Sequence, residues 1–265
     1  MRECVRMIRA ESYKMRGTLF LPFHVMVPCV GGLLFLFYYG YHDFAPGKEW
    51  AWYIETVSIV FPAMISFVCS ISVRIEKNNH FSVLLGTAVC RRNSLLAKWI
   101  VLSAAGLFSL IIAVGGFFAV WRATEEKGDG FGRLCLLTIL ILWAGSQSMY
   151  LFHLCVCLRW SENISMCIGV LQSVLAALLQ TGLGHGIWQF FGCSFCGRWS
   201  SYLLLYCYVY GEGEFKLSFG SGIIDGLFAF GKVLENLAVS AGVMVIWIIG
   251  IFAWYQRFEG RCMDD

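Results

Sequence analysis

Six long apolar stretches without a single Asp, Glu, Lys or Arg dominate this chain, and its basic residues gather in every second gap between them. The stretches cover 18–40, 56–73, 99–121, 134–158, 164–181 and 236–256. A run of about 18 or more apolar residues can cross a bilayer, because only a continuous helix satisfies its own backbone hydrogen bonds in lipid. With their flanks, they predict an all-α integral membrane fold with six spans over about 18–40, 54–73, 95–121, 134–158, 163–182 and 234–256. Only 14% of residues are charged and 58% are hydrophobic, against roughly 25% charged in soluble domains. A separate soluble domain of ~100 residues has no room beside six spans. The expected organisation is an interface helix over 1–17 and one transmembrane domain over 18–265.

Orientation follows from Lys and Arg counted gap by gap, because basic loops stay on the cytoplasmic side. One side collects thirteen: Arg2, Arg6, Arg9, Lys14 and Arg16, then Arg74, Lys77, Arg91, Arg92 and Lys98, then Arg159, Arg257 and Arg261. The other side holds seven, spread over longer loops: Lys48, Arg122, Lys127, Arg133, Arg198, Lys216 and Lys232. Both termini are therefore expected in the cytoplasm. The first span is longer than the ~7–15 residue apolar region of a signal peptide and lacks a small-x-small cleavage site, so it is expected to stay as an anchor.

Arginines at 2, 6, 9 and 16 share one helical stripe beside a stripe of Met1, Val5, Ile8 and Met15. That pattern predicts an amphipathic helix lying in the membrane interface; the plainer reading is a topology signal only. In the loop 74–98, Phe81, Leu84, Leu85, Ala88 and Val89 fall at i, i+3, i+4, i+7 and i+8, a second amphipathic template, with Asn93 or Ser94 able to cap the next span. The gap 183–233 is broken by glycines and rich in aromatics. It predicts short re-entrant or interfacial helices on the outer face, with a seventh span over 187–210 disfavoured by Arg198.

The spans lack the buried carboxylate that a proton- or sodium-driven carrier needs, and the chain lacks H-E-x-x-H. His153 on an apolar helix reads as a packing residue rather than a ligand. Most of the twelve cysteines sit in apolar surroundings and read as small hydrophobes. Cys193 and Cys196 have C-x-x-C spacing, open to a disulfide or a redox pair, and the absence of a second pair argues against a metal. Gly226 to Lys232 fits G-x-x-x-x-G-K, but Val233 stands where a phosphate loop needs Ser or Thr, and the surroundings are apolar helix. An energy source must then lie on another chain. Asn163, Ile164 and Ser165 fit a glycosylation acceptor on the wrong side of the membrane.

Several features together point to a family. They are the run from Met7 to Lys14, Pro28, Phe61-Pro62 followed by Arg74-Ile75-Glu76, Leu84-Leu85, Arg91-Arg92 and Lys98, and Gly182-Leu183-Gly184 with Ile187-Trp188-Gln189 and Arg198. The chain resembles the permease subunits of bacterial ABC-2 type exporters, and among them most the lantibiotic-immunity permeases. The resemblance implies a multi-pass subunit of the bacterial plasma membrane that is not itself an enzyme. It also implies a coupling helix between spans two and three, with Glu76, Lys77, Asn78, Asn79, His80, Arg91 and Arg92 facing an ATPase. The implied partners are a cytoplasmic ABC ATPase dimer carrying ATP and Mg, a second permease subunit, the lipid bilayer and a membrane-active peptide or amphipathic substrate; no nucleic acid is implied. Export of another hydrophobic compound and a non-transporting scaffold or sensor are the alternatives. The basic residues of the loop can also anchor to anionic headgroups.

Overall fold

The computed structural model describes residues 2–41, 48–78, 91–124, 131–210 and 230–258, and every regular element among them is helical. Helix α1 covers Arg2–Met15, α2 Phe20–Tyr39 and α3 Lys48–Asn78. The third span joins α4 (Arg91–Leu110), a π-helical turn (Ile111–Gly115) and α5 (Gly116–Thr124). The fourth joins α6 (Phe131–Gly145) and α7 (Gln147–Arg159) across Ser146. Helix α8 (Glu162–Gln180) follows, then 3-10 turns at Gly182–Gly184 and Trp188–Phe190, α9 (Gly192–Tyr210) and α10 (Phe230–Tyr255). Six units are long and apolar enough to cross a membrane: Phe20–Tyr39, Glu49–Asn78, Arg92–Trp121, Gly132–Arg159, Glu162–Gln180 and Val233–Tyr255. The amphipathic segment 81–89 and residues 226–229 of the glycine-lysine match lie outside the described residues. Gly231 and Lys232, which end that match, belong to helix α10 rather than to a loop.

Lipid offers no hydrophobic drive between helices, so spans associate through small residues and hydrogen bonds. Helices α3 and α8 pack antiparallel in that way. Ser58, Pro62, Ser66 and Ser70 recur every four residues along α3 and therefore share one face. Against them Gln180 Nε2 donates to Ser58 Oγ at 3.0 Å, and Ser70 Oγ donates to the Glu162 carbonyl at 3.1 Å. Pro62 interrupts the helix ladder, and beside it the Ala63 N–H donates to Ser173 Oγ of α8 at 3.2 Å. Close approach at the centre needs a glycine: a Cβ on Gly169 would collide with Ser66.

The π-helical turn offsets the register of span three beside α3. Tyr53 Oη donates to the Ala113 carbonyl inside this turn at 2.9 Å, and the Tyr53 ring stacks on Phe117 with centroids 4.0 Å apart. The Ala113 carbonyl, which also accepts from the Gly116 N–H, is thus bonded to the neighbouring helix as well.

The segment after α8 doubles back into the bundle. Gly186 adopts φ +81°, a left-handed conformation that glycine reaches without strain. Gly192 then lies beside Ser148, where a Cβ would sit 3.0 Å from the hydroxyl. Ser148 is about 16 Å of helix rise from Arg159, roughly half-way across a hydrocarbon core. From that depth α9 runs as one 19-residue helix rather than as short pieces. Continuity has a physical cause, since Cys193 to Arg198 are all buried and a helix satisfies its own backbone there. Arg198 is no barrier to this burial. Its Nε donates to the Leu179 carbonyl at 2.9 Å and its Nη2 to the Thr181 carbonyl at 2.7 Å, capping the carboxyl end of α8. Cys193 and Cys196, on the first turns of α9, are buried free thiols, so the spacing does not mark a disulfide.

Candidate functional site

Charge buried at the basic end of the bundle forms the most unusual site in this structure. Glu11 and Lys14 come from the last two turns of α1 and face its neighbours because they sit one turn apart on the inner side. Glu76 comes from the last turn of α3, and Lys98 stands two turns into α4. Lys14 Nζ lies 2.7 Å from Glu11 Oε1 and 2.7 Å from Glu76 Oε1. Lys98 Nζ lies 2.8 Å from Glu11 Oε2 and 3.2 Å from Glu76 Oε1, and donates to Ser72 Oγ at 3.1 Å. The four residues close a ring of alternating sign. Glu76 and Lys98 are each 1% exposed, so the ring is screened little by water. Glu76 Oε2 has no hydrogen-bond partner among the described residues.

The ring fixes the amino-terminal helix to the ends of spans two and three. Met15 is buried and Ile8 packs against the core, while Arg6 and Arg9 remain exposed, consistent with an amphipathic α1. Its inner face nevertheless carries Glu11 and Lys14 as well as apolar residues. Gly17, with φ +81°, lets the chain turn between α1 and α2.

The seven residues expected at an ATPase-coupling surface divide. Glu76 is buried in the ring. Lys77 is partly exposed and lies 3.9 Å from Glu162 Oε2, while Asn78 and Arg92 are exposed. Arg91 opens α4, and Asn79 and His80 lie outside the described residues. Glu11, Lys14 and Lys98 carry the site although the coupling set omits them. The signal that could have found them is the set of isolated charges close to three apolar stretches. The candidate spans are free of charge in their centres, but Glu76 and Lys98 belong to helices long and apolar enough to cross a membrane.

Protonation sets the limits of this ring. Burial pushes the Glu11 carboxyl up, but Lys98 and Lys14 together outweigh it and hold it below its ordinary value of 4.5. Burial likewise opposes the charge on Lys14, yet the hydrogen bonds to Glu11 and Glu76 hold its ammonium above the ordinary 10.5. A depressed carboxyl contributes stability that is present above 4.5 and lost as pH falls through its folded value. A raised ammonium contributes stability that is present below 10.5 and lost as pH rises through its folded value. Docking of α1 is therefore expected to be constant across neutral pH and to fail only at the two extremes. Limited trypsin cleavage at Arg6 and Arg9, scanned against pH, checks this; undocking near pH 7 would contradict it.

Among the described residues no group of three His, Cys, Asp or Glu side chains could hold a metal ion. His153 is buried and satisfied on both sides, by Ser165 Oγ at 3.0 Å and Gln172 Oε1 at 2.9 Å. Ser165 of the glycosylation match is buried in that contact. The chain matches no protein-family model, no curated protein and no solved structure. Fold and site define a class only: a polytopic helical membrane protein whose amino-terminal helix is latched by buried charge to two of its spans.

Proposed function

We propose that this chain is the permease subunit of an ABC-2 type exporter in a bacterial plasma membrane, with both termini in the cytoplasm. ATP is hydrolysed with Mg on a separate pair of ATPase subunits, and a second permease subunit completes the pore. The cargo is a membrane-active peptide or similar amphipathic compound, removed to protect the cell.

The observation that carries this reading is the ion-pair ring. Residues 79–90 connect the ends of α3 and α4, and those are the ends that the ring binds to α1. A push on that connection moves three helices together rather than one, as a device that converts nucleotide-driven closure into span movement requires. Exposed Asn78 and Arg92 flank the connection, and partly exposed Lys77 adjoins it. The chain itself offers no usable nucleotide loop, which fits borrowed power.

The test is affinity purification of the tagged full chain from its native membrane. An ATPase subunit is expected to accompany it, and Arg91→Glu with Arg92→Glu is expected to lower that recovery or its ATPase activity several-fold. Recovery of only non-nucleotide-binding proteins would replace the exporter reading with that of a membrane scaffold. Unchanged peptide sensitivity after gene deletion would remove the peptide cargo while leaving the exporter class in place.

A further inference from the structure

A cavity of about 190 Å³ lies between α7, α8, the Trp188–Phe190 turn and α10, far along the bundle from the ion-pair ring. Its rim is aromatic and faces outward: Phe190 is 57% exposed, Phe191 41% and Trp247 46%. Two polar side chains, Ser148 and Gln172, interrupt its otherwise apolar wall. Ser148 is 4% exposed, and its Oγ finds no hydrogen-bond partner among the described residues. Such a buried hydroxyl is costly in lipid unless something else occupies its donor.

A relay behind the wall sets the polarity of Gln172. His153 Nε2–H donates to Gln172 Oε1 at 2.9 Å, which leaves Nδ1 to accept from the Ser165 hydroxyl at 3.0 Å. With one lone pair of its oxygen engaged by His153, the Gln172 carboxamide keeps both N–H donors to offer the cavity. Gly192 keeps the space in front of Ser148 open, since a Cβ there would come within 3.0 Å of the hydroxyl. Two donors thus line one largely apolar cavity whose wall holds no charged residue among the described residues.

We propose that this cavity binds the neutral, acceptor-bearing end of an apolar molecule entering from the bilayer, with Ser148 Oγ–H and the Gln172 amide donating to its carbonyl oxygen. An anion is disfavoured because no cation among the described residues lines the cavity to offset its transfer into lipid. At 190 Å³ the space equals about six water molecules of ~30 Å³, so it takes only one end of a longer molecule. The hydrocarbon remainder lies along the aromatic rim and stays in lipid. The inference is independent of the exporter reading, because it requires only that these helices stand in a membrane.

The test uses the full chain in dodecyl maltoside micelles and two photoactivatable probes. One is the methyl ester of a diazirine-bearing medium-chain fatty acid, and the other is the matching hydrocarbon without the ester. The ester is expected to label the 190–193 and 247 regions about 25-fold more strongly than the hydrocarbon, the ratio that two hydrogen bonds of ~1 kcal/mol each give. Ser148→Ala is expected to lower ester labelling about fivefold while leaving the melting midpoint unchanged or higher, since it deletes an unpartnered buried hydroxyl. Equal labelling by both probes, labelling confined to other segments, or unaltered labelling of Ser148→Ala would overturn the proposal.

Discussion

Lys98→Met is expected to destabilise the folded chain by about 3–5 kcal/mol, the range for removing one partner of a buried ion pair. Lys98 is 1% exposed and contacts Glu11, Glu76 and Ser72, so its loss leaves two carboxylates facing a single remaining ammonium, that of Lys14. Size is nearly conserved, which makes the change one of charge. The measurement is thermal unfolding of the purified chain in detergent, with trypsin cleavage at Arg6 and Arg9 reporting release of α1. Adding Glu76→Gln restores neutrality within the ring and is expected to recover most of the loss, because the remaining Glu11–Lys14 pair can still close at 2.7 Å. Lys77→Met is the control. Its ammonium is 3.9 Å from Glu162 and its side chain 41% exposed, so the expected effect is below about 1 kcal/mol. If Lys98→Met proved as mild as Lys77→Met, the ring would be ornament rather than latch, and the coupling argument built on it would fail with it.

The six spans are legible in the sequence because lipid imposes one requirement on every turn, and a run of uncharged residues records it directly. The amphipathic α1 is legible for the same reason, through Arg6 and Arg9 on one face and Ile8 and Met15 on the other. The ring is not. Apart from the i,i+3 pair Glu11–Lys14, its members pair across 62, 87 and 22 positions, and no local pattern marks which of these charges will find another. Glu76 looks like a loop residue when read beside Lys77 and Asn78, yet the turn of α3 that carries it points inward. Arg198 is likewise hard to read alone: the carboxyl end of α8 leaves carbonyls without donors, and Arg198 supplies them to Leu179 and Thr181. In both cases the environment of a charge is set by a partner on another helix.

Gly169→Ala is expected to destabilise the α3–α8 contact by about 1–3 kcal/mol, and Gly169→Leu by more, through overpacking rather than lost burial. The added Cβ would collide with Ser66 Oγ and Cβ, and would stand 3.2 Å from the Pro62 carbonyl, so the two spans must move apart. Separation weakens the hydrogen bonds that stitch the same seam, Gln180 to Ser58 at 3.0 Å and Ala63 to Ser173 at 3.2 Å. Ser66→Gly removes both colliding atoms, and only the 3.2 Å contact with Pro62 remains, which a shift of a few tenths of an ångström relieves. The double variant is therefore expected to unfold above Gly169→Ala alone, although Ser66→Gly by itself costs about 0.5–1 kcal/mol in helix propensity. Gly250→Ala serves as the reference, because nothing lies within 4 Å of its added Cβ and a helical glycine replaced by alanine gains stability. Rescue by Ser66→Gly means that distance between spans two and five sets their affinity; strictly additive losses mean that the spans already stand too far apart for the seam described above.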